Sequence, residues 1–233
     1  MQPYFFPYIG YFQLIHSCDL FVIYDNIKYT KKGWINRNRF LQNGADAVFS
    51  LPLRKDSDSL DVRERAIASD FNSKKLLGQI AGAYRQAPYF ADTIGLLERT
   101  IGHSDDNLFR FIHHALVETC AHLGLKTEIR ISSDIEIDHE LKAQDKVLAI
   151  CTALDATTYI NTMGGVGLYD RQDFLARGID LKFLQPRPLE YPQLGAPFVP
   201  WLSIIDVMMF NPRDTLLAHL ESNYDLIDPP QTV

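Results

Sequence analysis

Between residues 11 and 18 the apolar positions Tyr11, Leu14, Ile15 and Cys18 fall on one face of a helix. After Asp19 the run Leu20-Phe-Val-Ile-Tyr24 is unbroken, which predicts a buried strand ending at Asp25. A second strand is predicted over 45–53, closed by Pro52, and the charged stretch 54–61 reads as an exposed loop. Three helices follow. One spans 72–84, with Leu76, Leu77, Ile80 and Tyr84 at helical spacing, and one spans 89–100 beyond the breaker Gln86-Ala-Pro-Tyr. The third, 105–123, aligns Leu108, Ile112, Leu116, Cys120 and Leu123 and stops at Gly124. The chain then alternates: strand 127–131, helix 144–154, strand 157–161, a glycine loop at 162–167, helix 168–177 and strand 179–184. Five prolines between 186 and 200 mark an irregular segment, a last helix is predicted over 202–209, and residues after Asp228 are expected to fray. The alternation predicts an α/β fold with a mostly parallel sheet and crossover helices. It is read as a single domain, 1–233, with a helical insertion at about 70–124.

Two stretches depart from a plain core pattern. The first fifteen residues hold six aromatics, two prolines, one glycine and no charge. Pro3 and Pro7 keep that segment extended, and Gly10 allows a sharp turn or a close approach to a ligand. Residues 26–40 hold five basic side chains, with Tyr29 and Trp34 among them and Asn36, Arg37 and Asn38 just beyond. Cations beside flat rings suit a phosphate-bearing ligand with a ring to stack. The same composition suits a solvated basic hairpin. Position favours the ligand, because the segment leaves the carboxyl end of a buried strand. Gly164 and Gly165 open a strand-to-helix loop whose amides could attract an anion, although a tight turn without a ligand would look the same.

A net charge of −6 and a pI near 5.6 argue against a general nucleic-acid binder. No apolar run is long enough to span a membrane, and the N-terminus lacks the features of a signal peptide. Three cysteines without CxxC spacing fit a reduced, cytoplasmic protein, with Cys120 and Cys151 on apolar helix faces as core packing. His114, Glu118 and His122 recur at steps of four, which suits either a metal or a wet helix face, and no metal site is assigned.

The segment Phe6-Pro-Tyr-Ile-Gly-Tyr11 resembles the F-x-P-x-H-x-G-H motif of the nucleotidylyltransferase-like α/β fold. Tyr8 and Tyr11 stand where that motif has histidines, and tyrosine offers no cationic phosphate grip at neutral pH. This likeness therefore concerns the fold. A more specific resemblance covers most of the chain. QPYFFPYIGYFQLI (2–15), D-x-F-V-x-Y-D (19–25), YTKKGWINRN (29–38), YINTMGG with LYD (159–170) and FVPWLSIID (198–206) together resemble the WbqC-like family.

That resemblance implies a role in bacterial surface-polysaccharide and O-antigen biosynthesis, as a transferase moving an acyl or aminoacyl group to a nucleotide-linked amino sugar. It implies a thioester donor or an acyl or aminoacyl carrier protein as partner, and no tightly bound cofactor. Gln2, Tyr4, Tyr8, Gly10, Tyr11, Tyr29, Trp34, Asn36, Arg37, Asn38, Gly164 and Gly165 would then converge on one substrate pocket. Arg37 would clamp a phosphate or carboxylate, Trp34 would cover a ring, and Asp25 would be the general base. Asp25 could equally be a carboxylate paired with Lys28 or Arg37, and Asp206 reads as buried and structural. Two other functions stay open: a non-catalytic sugar-nucleotide or glycan-binding scaffold, and a nucleotidylyltransferase-like enzyme with an altered motif. The family pattern also implies a short apolar strand ahead of Gln2. Here Met1 directly precedes Gln2, so either the start lies late or that strand is absent and the site incomplete.

Overall fold

The computed structural model describes residues 1–57, 59–195 and 197–229. Helix α1, Ile9–His16, buries seven of its eight residues and leads into strand β1, Leu20–Ile23. Strands β2, Arg37–Gln42, and β3, Ala45–Ser50, form an antiparallel hairpin. Its turn is Asn43-Gly44, with φ of 52° and 77°. Two successive positive φ values make the two-residue turn whose twist matches paired strands, and Asn-Gly is the pair that adopts it most readily. The basic segment thus enters a hairpin.

Helices α2, Ser73–Tyr84, α3, Phe90–Ile101, and α4, Leu108–Leu123, follow as the apolar spacing requires. All five apolar positions that defined the predicted third helix are buried. Strand β4, Glu128–Ile131, pairs in parallel with β1, and Ile23 lies opposite Ile131. Helix α5, Ala143–Ala153, leads to strand β5, Thr158–Thr162. A 3₁₀ turn at Met163–Leu168 and the short helix α6, Arg171–Leu175, precede strand β6, Asp180–Pro186, which pairs in parallel with β5. Helices α7, Ile204–Phe210, and α8, Arg213–Ser222, and strand β7, Tyr224–Ile227, complete the described chain.

The fold is mixed α/β, but the sheet differs from the expectation. The parallel pairs β1–β4 and β5–β6 are present, yet they belong to separate sheets, ordered β1-β4 and β5-β6-β7. The β2–β3 hairpin stands alone, and β7 joins β6 antiparallel. The β2–β3 turn and the last strand both lie in stretches too polar to register as buried strands. Helix 168–177 is also shorter than expected, because the chain first takes the 3₁₀ turn. The main core joins α1, β1 and the hairpin to α2–α4, α7 and α8. A smaller cluster joins α5 and α6 to β6 through Val147, Cys151, Phe174, Leu181 and Phe183. Cys120 and Cys151 are free and buried, as core packing requires.

Candidate active site

Because β1 and β4 run in parallel and in register, the residues just past each strand meet. Asp25 is only 4 % exposed. Its Oδ1 accepts from Ser133 N at 3.1 Å and lies 2.9 Å from Ser132 Oγ. Its Oδ2 accepts from Ser133 Oγ at 2.7 Å and faces Arg63 Nη1 at 3.7 Å. Ser132 Oγ is also 2.7 Å from Asn26 Oδ1, so its one proton serves either acceptor at a time. Asn26 Nδ2 in turn meets His139 Nδ1 at 3.0 Å. Arg63 is brought in by its own backbone, which donates to the Asp25 carbonyl at 3.1 Å. Both oxygens of Asp25 are therefore occupied. These contacts favour a carboxylate that ties two strand ends together and orients Arg63, rather than the free general base expected of it.

Lys146 enters the same neighbourhood from α5. It is 8 % exposed, and its Nζ lies 5.7 Å from the Tyr24 ring centroid. Burial pulls the pKa of its ammonium below the ordinary lysine value, and the nearby charges of Asp61 and Asp25 only partly oppose this. Burial pushes the Tyr24 hydroxyl the other way, with Tyr169 reinforcing the shift. Just past Tyr24, at the end of β5, Asn161 Nδ2 sits 3.1 Å from Tyr159 Oη and 2.9 Å from Tyr169 Oη. Those hydroxyls are 3.2 Å apart. The carboxyl ends of the parallel pairs thus carry one lysine, one arginine, two hydroxyl-bearing serines and three tyrosines. Open α/β sheets place their ligands at such ends.

The remaining expected site residues lie in several places. Met1 donates to the Val22 carbonyl and accepts from Tyr24 N, which sets Gln2 beside the end of β1. Tyr4 Oη donates to Gln2 Oε1 at 3.1 Å. Tyr11 is 1 % exposed and donates to the Gln2 carbonyl at 2.8 Å, so it is a core residue fixing the opening segment. A Cβ at Gly10 would lie 2.4 Å from the Tyr8 ring, so Gly10 makes room for Tyr8. Gly165 similarly leaves space for Asn161, whose Nδ2 would be 2.9 Å from an added Cβ, whereas Gly164 faces open space. The loop itself forms the 3₁₀ turn, and the Asp170 side chain caps α6 by accepting from Gln172 N at 2.8 Å.

The basic segment mostly braces itself. Tyr29 Oη donates to Asn36 Oδ1, and Asn36 Nδ2 donates to the Leu51 carbonyl. Buried Asn38 donates to the Phe6 carbonyl at 2.8 Å, tying the hairpin to the opening motif. Arg37 gives Nε to the Gly33 carbonyl and Nη2 to the Lys32 carbonyl, with its guanidinium 5.5 Å from the Trp34 ring. Its expected clamp is directed at its own loop. Trp34, with Arg39 at 5.6 Å, instead opens an exposed aromatic ledge. Arg39 Nη2 donates to the Trp201 carbonyl at 3.2 Å, and the Trp201 ring lies 5.8 Å from Tyr8. Beside them is a cavity of about 170 Å³ lined by Tyr8, Tyr191, Phe198 and Trp201.

Sequence reasoning missed Lys146, the Ser132–Ser133 pair, the Tyr159–Asn161–Tyr169 cluster and Trp201. Lys146 did leave a signal. It shares a helix face with Ile150, four residues on, and a lysine on an apolar stripe is seldom there for solvation. On the helix face that carries His114, Glu118 and His122, Glu118 pairs with Arg99, and His114 stacks on His103 at 4.0 Å. Among the described residues no cluster of three or more His, Cys, Asp or Glu is placed to hold a metal.

The chain matches the WbqC-like protein family over residues 2–217. It is 27 % identical over 214 residues to the uncharacterized protein Rv1507c of Mycobacterium tuberculosis, covering 91 % of each chain. No solved structure matches it. A family match running from the opening QP motif into α8 takes in every residue of the strand-end cluster, and the chain belongs to the WbqC-like protein family.

Proposed function

We propose that this protein is a transferase of surface-polysaccharide biosynthesis. It moves an acyl or aminoacyl group from a thioester donor, free or on a carrier protein, to the amine of a nucleotide-linked amino sugar in the cytoplasm. The observation that carries the reading is Lys146, a buried lysine of lowered pKa beside Tyr24 at the strand ends. A sugar amine attacks only when neutral, so the site needs a proton acceptor working near neutral pH. Burial shifts Lys146 in that direction, because it disfavours the ammonium. The amine nitrogen bonds to the thioester carbonyl carbon and the C–S bond breaks. The proton leaves the nitrogen for Lys146 Nζ and passes to the departing thiolate. Arg63, nearly half exposed, faces outward from Asp25 and suits the nucleotide diphosphate. Asp25 acts as the positioning carboxylate for Arg63. The family likeness supplies the polysaccharide setting.

The test is incubation of the protein with UDP- or dTDP-linked amino sugars and acyl or aminoacyl thioesters, with mass spectrometry of the sugar product. Lys146→Met is expected to lower kcat by about a hundredfold or more with the melting temperature retained. Full turnover in that variant would remove Lys146 from the role. A specific observation favours a second reading, that of a glycan-binding scaffold. Trp34 and Trp201 are exposed beside Arg39 and Tyr8, an arrangement suited to stacking on sugar rings. Sugar-nucleotide binding without product from any donor would favour that scaffold.

A further inference from the structure

The chain's only two tryptophans are both exposed, and Arg39 joins them. Its guanidinium lies 5.6 Å from the Trp34 ring centroid and donates to the Trp201 carbonyl at 3.2 Å. Trp34 follows a four-residue turn closed by Gly33 N, which donates to the Thr30 carbonyl at 3.0 Å. Lys31 and Lys32 occupy the two corner positions of that turn and are exposed. Val48 lies directly across from Arg39 in the hairpin, so both side chains share one face, and it is 61 % exposed.

Holding these rings in water is costly. Behind Trp201, Leu202 and Ser203 are buried, and Ser203 Oγ donates to the Phe6 carbonyl at 2.7 Å. The chain thus turns the Trp201 ring outward from a fixed anchor, at a φ of 60°. An indole in that position gives up hydrophobic burial and carries backbone strain. Both costs point to a contact made outside the chain.

Charge narrows what that contact is. Residues 26–40 hold five basic and no acidic side chains, on a chain of net charge −6, so the surface suits an anionic partner. The two arginines are already engaged, Arg37 with the Gly33 and Lys32 carbonyls and Arg39 with the Asp46 carboxylate. The planar forks that would read a carboxylate on a protein surface are therefore turned inward. Indole rings and lysine charges on flexible stems face outward instead. That pairing suits a lipid headgroup layer, where an indole sits at the apolar boundary with its N–H among polar groups and lysines reach the phosphates.

We propose that this face docks on an anionic bilayer surface, with Trp34 and Trp201 entering the headgroup layer and Lys31 and Lys32 meeting lipid phosphates. Two rings and two lysines make a weak, reversible and salt-sensitive contact. The proposal does not rest on the transferase reading, and it sets the two rings against lipid rather than against a sugar.

The test mixes the full chain with vesicles of phosphatidylcholine alone, or of phosphatidylcholine with about 30 % phosphatidylglycerol. Because the chain has no other tryptophan, its emission reports these two rings directly. On the anionic vesicles the emission is expected to move to shorter wavelength and to be quenched by lipids brominated on their acyl chains. Both effects should reverse when salt is raised to about 1 M. Lys31→Gln combined with Lys32→Gln should lower the partition coefficient by about tenfold or more, since each lysine near such a surface contributes about fivefold. Trp34→Ser and Trp201→Ser should each weaken partition with Tm retained, while the remaining ring is still quenched. Equal shifts on both kinds of vesicle, no sedimentation with the anionic ones, or sedimentation with unshifted emission would overturn the proposal. A shift produced by polyglutamate or by a UDP-linked amino sugar, but by neither kind of vesicle, would overturn it in favour of an acidic protein partner or a sugar ligand.

Discussion

Asp25 and Asp206 are both buried carboxylates, 4 % and 0 % exposed, but their surroundings differ. Asp25 is met by two serines, a backbone N–H and Arg63. Asp206 is met by neutral donors: Tyr84 Oη at 2.7 Å, Tyr191 Oη at 2.6 Å and Gln193 Nε2 at 2.8 Å. The first carboxylate closes two strand ends and brings a cation to the site. The second pins the proline-rich segment to α7, since Gln193 also holds both the N–H and the carbonyl of Val199. Burial alone does not separate a structural carboxylate from one beside chemistry. The partners do, and a charged, partly exposed one such as Arg63 marks the site.

The comparison is broken most forcefully at Asp206. Asp206→Ala leaves two tyrosine hydroxyls and one amide without their acceptor, at a cost of about 3 to 5 kcal/mol. In urea or thermal melts this should appear as a loss of roughly 10 °C. The Tyr191–Phe198 wall of the small cavity should loosen with it. Asp206 also has a signature in pH. Burial raises its pKa, although its three hydrogen bonds pull the other way. The folded state therefore holds its proton to higher pH than the unfolded chain does. Between the ordinary carboxylate value, about 4, and that raised value, stability falls as pH rises. Asp206→Asn should flatten this slope. A wild-type chain whose stability does not fall across that window, or a slope that survives Asp206→Asn, would contradict the assignment.

Asp25→Asn should cost less, about 1 to 2 kcal/mol. Ser132 already has Asn26 Oδ1 as a second acceptor, and the Ser133 hydroxyl can reverse to accept from the new amide. Arg63 loses its charge partner and swings free, so ligand binding should weaken more than folding. Urea denaturation beside sugar-nucleotide titration separates the two. A folding loss as large as that at Asp206 would erase the distinction drawn between them.

Much of this was legible in the sequence. Helical spacing placed α2 to α4 within a few residues, because their buried faces are mostly apolar, with Thr93, Thr100 and Thr119 the buried polar members. The end of β1, two residues before Asp25, was legible for the same reason. Strand β3 was read within 45–53 but its partner β2 was not, although Asn43-Gly44 announces the hairpin, because β2 carries Arg37, Asn38 and Arg39 and looks like a loop. The partners of Asp25 were beyond reach. Ser132 and Ser133 lie more than a hundred residues away, and only the parallel register of β1 with β4 brings them in. Arg37 and Asn38 were read as binding groups because composition cannot show that a side chain has already bonded to nearby carbonyls.

The smallest effect tests the exposed end of the second region. Trp201 is 65 % exposed, and its φ of 60° lies in the left-handed region that non-glycine residues avoid. Its backbone is tied there, since Arg39 Nη2 bonds its carbonyl and Ser203 N bonds the Arg39 carbonyl. Strain of this kind persists where the surroundings over-determine it, and an exposed tryptophan gains little burial in return. Trp201→Gly should therefore stabilise the fold by about 1 kcal/mol relative to Trp201→Ala, which keeps the strained backbone and loses the same ring. Both should weaken binding of sugar nucleotides equally if the ring itself is the contact. A glycine variant less stable than the alanine one would mean that the backbone at 201 is not strained. Unchanged binding in both variants would take the ledge out of ligand recognition and leave the strand ends as the remaining candidate.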